Sequence, residues 1–324
     1  MSRAALEAFI EERKGEPILE IGPLISPLVD RDIHNAFFAD IRSTEEIYEF
    51  YLPLDVCPDG ELRNKLVPID FVIRESYEKD VAGHKFNVIV SSHVIEHVHD
   101  LILHFHDLSK VLNEDGFLVM AIPDRRYTFD HFREVTPFRD MHDVYMRNDF
   151  ACTARLAFDF EFNRHPCNYP VDYQNNAVSF YPVAEEDRFL EYQELYKQIK
   201  DEGLRYDAHF WVFTYITFLD FLRDCLRANL LPYTLHYSHP PLLNCGEFTI
   251  ILKKDLSILE DSDKRMAEMM KIIDLSESQI VKDRDKAAEP YVEEALEEQL
   301  ARLTSTTSWK VTRPLRALGR LLKK

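Results

Sequence analysis

The sequence predicts an α/β protein built on a doubly wound, largely parallel sheet, and three observations carry that prediction. Short apolar runs recur through the first 124 residues and end in Gly, Ser or Asp. A stretch with one apolar helical face follows the clearest of these runs. Two further strand-like stretches near residue 240 are close enough to pair as a hairpin. Strands alternating with helices are how parallel sheets are wired.

Taken in order, residues 4–13 read as a short helix. PILEIG (17–22) is a buried strand ending at glycine, NAFFAD (35–40) a second ending at an acid, and KLVPIDF (65–71) a third. FNVIVSS (86–92) is the fourth. A helix over 95–113 then sets Val98, Leu101, Ile102, Phe105, Leu108 and Leu112 on one face. EDGFLVMAIPD (114–124) supplies a turn and a fifth strand. Periodicity fades after that, and the Phe-, Tyr-, Arg-, Asp- and His-rich stretch of about 125–208 reads as a helical insertion. A helix over 212–228 and an antiparallel pair over 231–239 and 247–254 close the first region, 1–254. Residues 255–304 form an acidic helical stalk. Met266, Met269, Ile273 and Ile280 make one stripe, Pro290 breaks the helix, and Val292, Leu296, Leu300 and Leu303 make another, a pattern consistent with a short coiled coil.

The net charge of −18 argues against a general nucleic-acid binder, which needs a basic surface. That charge is uneven: residues 305–324 hold six Lys/Arg and no acid, leaving −24 for the rest. Trp309, Leu315, Leu318, Leu321 and Leu322 alternate with those basic residues, the composition of a segment that lies on an anionic membrane surface. The five cysteines form no C-x-x-C pair and are odd in number, which speaks against a disulfide framework or a structural zinc and for a reducing compartment. The N-terminus is charged and amphipathic rather than a signal peptide, and no run of about 18 apolar residues is present.

Ligands of open parallel sheets bind at the carboxyl ends of the strands. Glu20 and Gly22 end the first strand here, Asp40 the second and Asp70 the third, with Ser92 and His93 at the end of the fourth. A carboxylate after the second strand suits a ribose diol, and one after the third an adenine amino group. Gly22 lets a ligand approach the backbone. The loop EIGPLISPL has one glycine and two prolines, so it lacks the G-x-G-x-x-G that seats a pyrophosphate. An adenosine ligand without phosphates fits better, and S-adenosylmethionine is the commonest of these.

ILEIGPLISPL, FFAD, FNVIVSSHVIEHVHD, VLNEDGFLVMAIPDRRYTFDHFR and HFWVFTYITFLDFL, in this order, resemble the class I S-adenosylmethionine-dependent methyltransferases. The resemblance covers roughly residues 15–253, is strongest over 86–131, and is closest to a bacterial subgroup with the IPDRRYTFDH stretch, found among surface-polysaccharide genes. It implies a Rossmann-like seven-stranded sheet. Glu20 and Gly22 would lie against the methionine moiety, Asp40 at the ribose and Asp70 at the adenine. The end of the chain is similar to the S-W-K/R-x-T-x-P-L-R tails of bacterial polysaccharide glycosyltransferases and methyltransferases. The single-glycine loop departs from the usual E-x-G-x-G-x-G.

His93, Glu96 and His97 stand at i, i+3 and i+4, one face of a helix, with Asp100 at i+7. Imidazole and carboxylate together are ordinary ligands for a divalent metal. The spacing resembles the E-x-x-E-H motif of small-RNA 2′-O-methyltransferases and of some quinone O-methyltransferases. Those enzymes hold a metal that grips the acceptor. His209, Thr214 and Phe218 match the downstream spacing of the RNA enzymes, while His93 stands where those families have Glu. Three readings stay open: His93, Glu96, His97 and His209 bind a metal; one histidine is a general base; or Glu96 caps a helix and the histidines are core groups. After the fifth strand, Asp124, Arg125, Arg126 and His131 are candidates to bind an acceptor, with Asp124 and His131 also catalytic candidates alongside His93 and His97. A structural ion-pair network is the alternative.

Together these imply methyl transfer to a sugar hydroxyl of a surface polysaccharide or its lipid-linked precursor, in the bacterial cytoplasm at the inner face of the membrane. Glycosyltransferases of the same pathway would be neighbours, and no nucleic acid is expected. A metal-dependent RNA 2′-O-methyltransferase and a non-catalytic scaffold of a glycan-assembly complex are the alternatives.

Overall fold

A computed structural model describes residues 2–54, 61–147, 151–163, 186–204, 206–242 and 246–305. Seven strands form one sheet: β1 (Ile18–Ile21), β2 (Ala36–Asp40), β3 (Phe71–Val72), β4 (Phe86–Ser92), β5 (Leu112–Pro123), β6 (Tyr233–His239) and β7 (Glu247–Lys254). Their order is β3-β2-β1-β4-β5-β7-β6. The first five run parallel, and β7 pairs antiparallel with both β5 and β6. The architecture is the α/β Rossmann-like one that the strand and helix signals predict. The direction of winding reverses between β1 and β4, and a crevice opens there at the carboxyl ends of the strands.

β4 is buried almost throughout, as a strand covered on both faces must be. On one face Leu19, Ile89, Met120 and Ile122 meet the helices Leu101–Val111 and Tyr215–Arg227 through Phe105, Phe218 and Phe221. On the other face Leu6 and Ile10 of the helix Ser2–Glu11 pack with Ile18, Phe38, Val88 and Val90.

That second packing has a cause in the chain. β1 and β2 are joined by an irregular segment, residues 22–35, with no helix in it. Pro23 and Pro27 remove backbone donors and fix φ, so no helix starts there. The N-terminal helix covers the face that a crossover helix would otherwise cover.

Three expectations need correction. Residues 65–71 are not a strand: a one-turn helix (Leu62–Lys65) precedes them, Pro68 has no N–H for a ladder, and only Phe71–Val72 pairs with β2. The helix after β4 does not begin at 95. Asp100 caps it by accepting the Leu103 N–H, so it runs from Leu101 to Val111, and Ile95–His97 is a separate 3₁₀ turn. Nor does Pro290 break the last helix, which continues to Ser305. The alanines and glutamates around Pro290 are strong helix formers.

The described part of the 125–208 stretch holds the helices Phe138–Arg147, Ala151–Asn163 and Glu186–Glu202. The chain divides into two compact units, Met1–Ile273 and Asp274–Lys324. In the second, Gln279 donates to Asp283 one turn on. The side chains of the predicted second stripe, and the basic tail beyond Ser305, lie outside the described residues. No helix among the described residues is long and apolar enough to cross a membrane.

Because Leu6 is fully buried under β1, β2 and β4, Leu6→Ala should lower unfolding stability by about 3 kcal/mol in urea denaturation.

Candidate active site

A cavity of about 680 Å³ opens at the carboxyl ends of β1, β2 and β4. Glu20, Gly22, Asp40, Ser92, His93 and His97 all line it. The site is therefore assembled from residues that the sequence places at strand ends.

At β1, Gly22 is required twice over. Its φ is +67°, and a Cβ there would sit 2.9 Å from Val94 Cγ2. Glu20 is buried and accepts N–H bonds from Leu28 and Val29, each at 2.9 Å, which hold the irregular loop in place. Burial outweighs those bonds and pushes its pKa up to about 7. At β2, Asp40 accepts the Arg42 N–H at 2.8 Å; burial raises its pKa as well. Arg42 stacks on Phe50 at 4.0 Å and reaches to 3.9 Å from Asp207.

The segment after β4 turns sharply. His93 has φ +53° and donates its backbone N–H to Ala121 at 3.0 Å. Its Nε2 lies 3.0 Å from Glu247, the first residue of β7. Burial disfavours the charged ring, but Glu247 and Glu96 together raise the His93 pKa. His97 Nδ1 sits 2.7 Å from Asp207, and Asp207 and Glu96 likewise outweigh burial and raise its pKa. His209 Nδ1 sits 2.6 Å from Asp130.

Glu96 stands among these rings. It is fully buried, and neither carboxylate oxygen has a hydrogen-bond partner. His93 Nδ1 lies 3.7 Å from its Oε1, and His97 Nε2 and His209 Nε2 each 3.9 Å. Glu96, His97 and His209 have ligand atoms all within 4.8 Å of one another, which His93 does not share. The i, i+3, i+4 argument reached the right neighbours for the wrong reason: a tight turn and the segment around His209 gather them, not a helical face.

Glu96 and His209 do not line the cavity, and neither do Asp70, Asp124 and His131. Asp70 accepts the Phe38 N–H at 2.8 Å and a bond from Arg31, which ties the connection before β3 to β2. Asp124 is fully buried and accepts from Arg126 N, Nε and Nη2 and from Tyr215 N. A carboxylate committed to four donors has no room for a substrate proton. His131 Nδ1 meets the Arg126 carbonyl, and Arg125 donates to the carbonyls of His131 and Arg133. This stretch is the structural network, and its part in the site is Asp130, behind His209.

Asp130, Asp207 and Glu247 were not nominated from sequence. Asp130 adjoins the nominated His131, and Asp207 precedes His209 by two residues, so both were within reach of a search for carboxylates backing each histidine. Glu247 had no local signal.

The methyltransferase domain family matches residues 6–176, more than half of the sequence. The chain belongs to this family. No curated protein matches the methyltransferase. Among solved structures, the CurJ carbon methyltransferase has a TM-score of 0.34 at 13% identity, covering 79% of this chain and 54% of that one. The mitomycin 7-O-methyltransferase MmcR has 0.33 at 8% identity, covering 77% and 53%. A Rhodobacter sphaeroides protein assigned to the Zn-dependent alcohol dehydrogenases has 0.37 at 13% identity, covering 78% and 89%. The methyltransferase thus spans about half the length of the CurJ and MmcR chains. At these scores the likenesses carry no weight beyond the family match.

Two outcomes follow for stability. The folded pKa of Glu20, about 7, lies above its ordinary 4.5. The folded state therefore holds the proton more tightly, and stability is lost as pH rises from about 4.5 through about 7. The loss should reach about 3 kcal/mol and vanish in Glu20→Gln, read from urea denaturation across that range. Asp124→Asn should cost about 2–4 kcal/mol, since it turns a donor towards buried N–H groups, while leaving ligand affinity at the cavity unchanged by calorimetry.

Proposed function

We propose that this chain transfers a methyl group from S-adenosylmethionine to a hydroxyl oxygen of a sugar, on a bacterial surface polysaccharide or its lipid-linked precursor. The observation that carries the reading is that one cavity reaches from Gly22 and Asp40 to His93 and His97. A cofactor side and an acceptor side thereby share one space.

The residues present fit the cofactor. Gly22 leaves the backbone open where a side chain would collide with Val94, and no helix N-terminus follows β1 to call for a phosphate. Asp40 would hold the ribose hydroxyls, Gly22 and Ser92 would border the methionine chain, and Glu20 would keep the loop in shape. When bound, the cofactor supplies a methyl group on a positively charged sulfur. The protein's task is alignment and proton removal. Glu247 accepts from His93 Nε2 and so leaves Nδ1 as the basic nitrogen, which suits His93 to take the acceptor's hydroxyl proton.

The sugar acceptor and the membrane setting are supported by the IPDRRYTFDH stretch and the basic tail. In this reading residues 305–324 dock on the inner face of the cytoplasmic membrane, beside glycosyltransferases of the pathway. The convergence of Glu96, His97 and His209 gives a second reading some support, a 2′-O-methyltransferase of RNA. The acidic body opposes it.

Calorimetric titration with S-adenosylhomocysteine tests the proposal. Wild type should bind, and Asp40→Ala should weaken binding at least about tenfold, roughly the loss of one charge-assisted hydrogen bond; Gly22→Ala should also weaken it, because its Cβ would meet Val94. Methyl transfer to a lipid-linked oligosaccharide and not to RNA would decide the acceptor. No binding by wild type would leave the scaffold reading in its place.

A further inference from the structure

Glu96 poses an energetic problem. A carboxylate removed from water without a hydrogen bond costs several kcal/mol or more, unless a cation compensates it. Glu96 is fully buried, and both of its oxygens lack partners. Around it the histidines are arranged in a way that answers the problem. His209 Nδ1 is hydrogen-bonded to Asp130 at 2.6 Å, and His97 Nδ1 lies 2.7 Å from Asp207. Each Nε2 then faces Glu96 Oε1, at 3.9 Å in both cases. A carboxylate behind Nδ1 fixes the tautomer whose Nε2 carries the lone pair, the arrangement that orients metal-bound histidines.

The surroundings keep these rings in place. The two imidazoles are perpendicular with centroids 4.7 Å apart, and His209 is flanked by Phe129 and Phe160 at 4.6 and 5.8 Å. Arg133, fully buried, pairs with Asp130 at 2.7 Å and holds it behind His209.

We propose that Glu96, His97 and His209 form a binding site for one divalent transition-metal ion, with Asp207 and Asp130 as positioning residues. Two imidazoles and one carboxylate favour Mn²⁺, Fe²⁺, Co²⁺ or Zn²⁺ over Mg²⁺ or Ca²⁺, which prefer all-oxygen shells. His93 is outside this set, because its Nε2 is engaged by Glu247 and it does not share the three-residue cluster. His97 lines the cavity, so positions of the ion not filled by protein would open on the acceptor side. There it would take acceptor oxygens, a role that rests on the methyl-transfer reading; binding of the ion does not.

The test uses the full chain, stripped with chelator and titrated with Co²⁺ while visible absorption is recorded. Wild type should bind one equivalent, with the intense bands of a site containing nitrogen ligands. Glu96→Gln and His209→Ala should lose binding about 100-fold or more, and Asp207→Asn should weaken it about 10–100-fold. His131→Ala should bind as wild type. In His97→Cys the spectrum should gain a sulfur-to-cobalt charge-transfer band, which reports ligation directly even where other variants fold poorly. S-adenosylhomocysteine affinity is measured on every protein. Absence of Co²⁺ binding by wild type with that affinity intact overturns the metal site alone. So does a His97→Cys complex with the wild-type spectrum. Co²⁺ binding without S-adenosylhomocysteine binding would overturn the methyl-transfer reading and leave the metal site standing.

Discussion

The backbone carbonyl of Glu96 accepts N–H bonds from Phe210 at 2.7 Å and Trp211 at 3.3 Å, and Trp211 Nε1 donates to the Val98 carbonyl at 2.7 Å. These three bonds join the turn after β4 to a segment more than a hundred residues later. Everything at the His97 end of the cavity depends on that join. It sets His209 beside His97 and brings Asp207 within reach of both His97 and Arg42. The same segment is bonded on its other side to the stretch after β5, through Arg125 N to Phe213 and Thr136 N to Val212. Connections far apart in the sequence are thereby tied to one another by backbone hydrogen bonds.

Electrostatic order follows from this geometry. Glu247, Asp207 and Asp130 each stand behind one histidine, and each has its pKa lowered by its ring against the opposing effect of burial. Glu96 is the exception, a buried carboxylate with three rings near it and no hydrogen bond. Near it the protein has built a field that favours positive charge while spending no hydrogen bond on the central group. Structural ion pairs elsewhere in the chain look different: Asp124 accepts from Arg126 and Tyr215, and Asp70 from Phe38 and Arg31.

Much of this was legible in the sequence, for physical reasons that differ by element. β1, β2, β4 and β5 announce themselves because strands of a covered parallel sheet carry short, largely apolar runs. Gly22 and Asp40 were legible as cavity residues because crevices open at the strand ends in this class of sheet. Residues 65–71 misled because an apolar run in a largely exposed connection resembles a strand until the proline in it is weighed. Asp124 misled for a related reason. A carboxylate next to two arginines at a strand end is equally suited to substrate and to structure, and only its four donors separate the two. Glu247 was illegible, since its meeting with His93 spans 154 residues and depends on the antiparallel return of β7.

The helix Ser2–Glu11 carries a further meaning. The irregular β1–β2 connection leaves one face of the sheet to be roofed by a helix that precedes the sheet in the chain. Val29, from that same connection, belongs to the cluster beneath this roof, and its N–H is one of those that Glu20 holds. A polypeptide emerging from the ribosome thus makes the roof before it makes the floor. Order in the β1–β2 connection and docking of this helix share contacts, and Arg3 of the helix itself lines the cavity, so loosening the helix would be felt there.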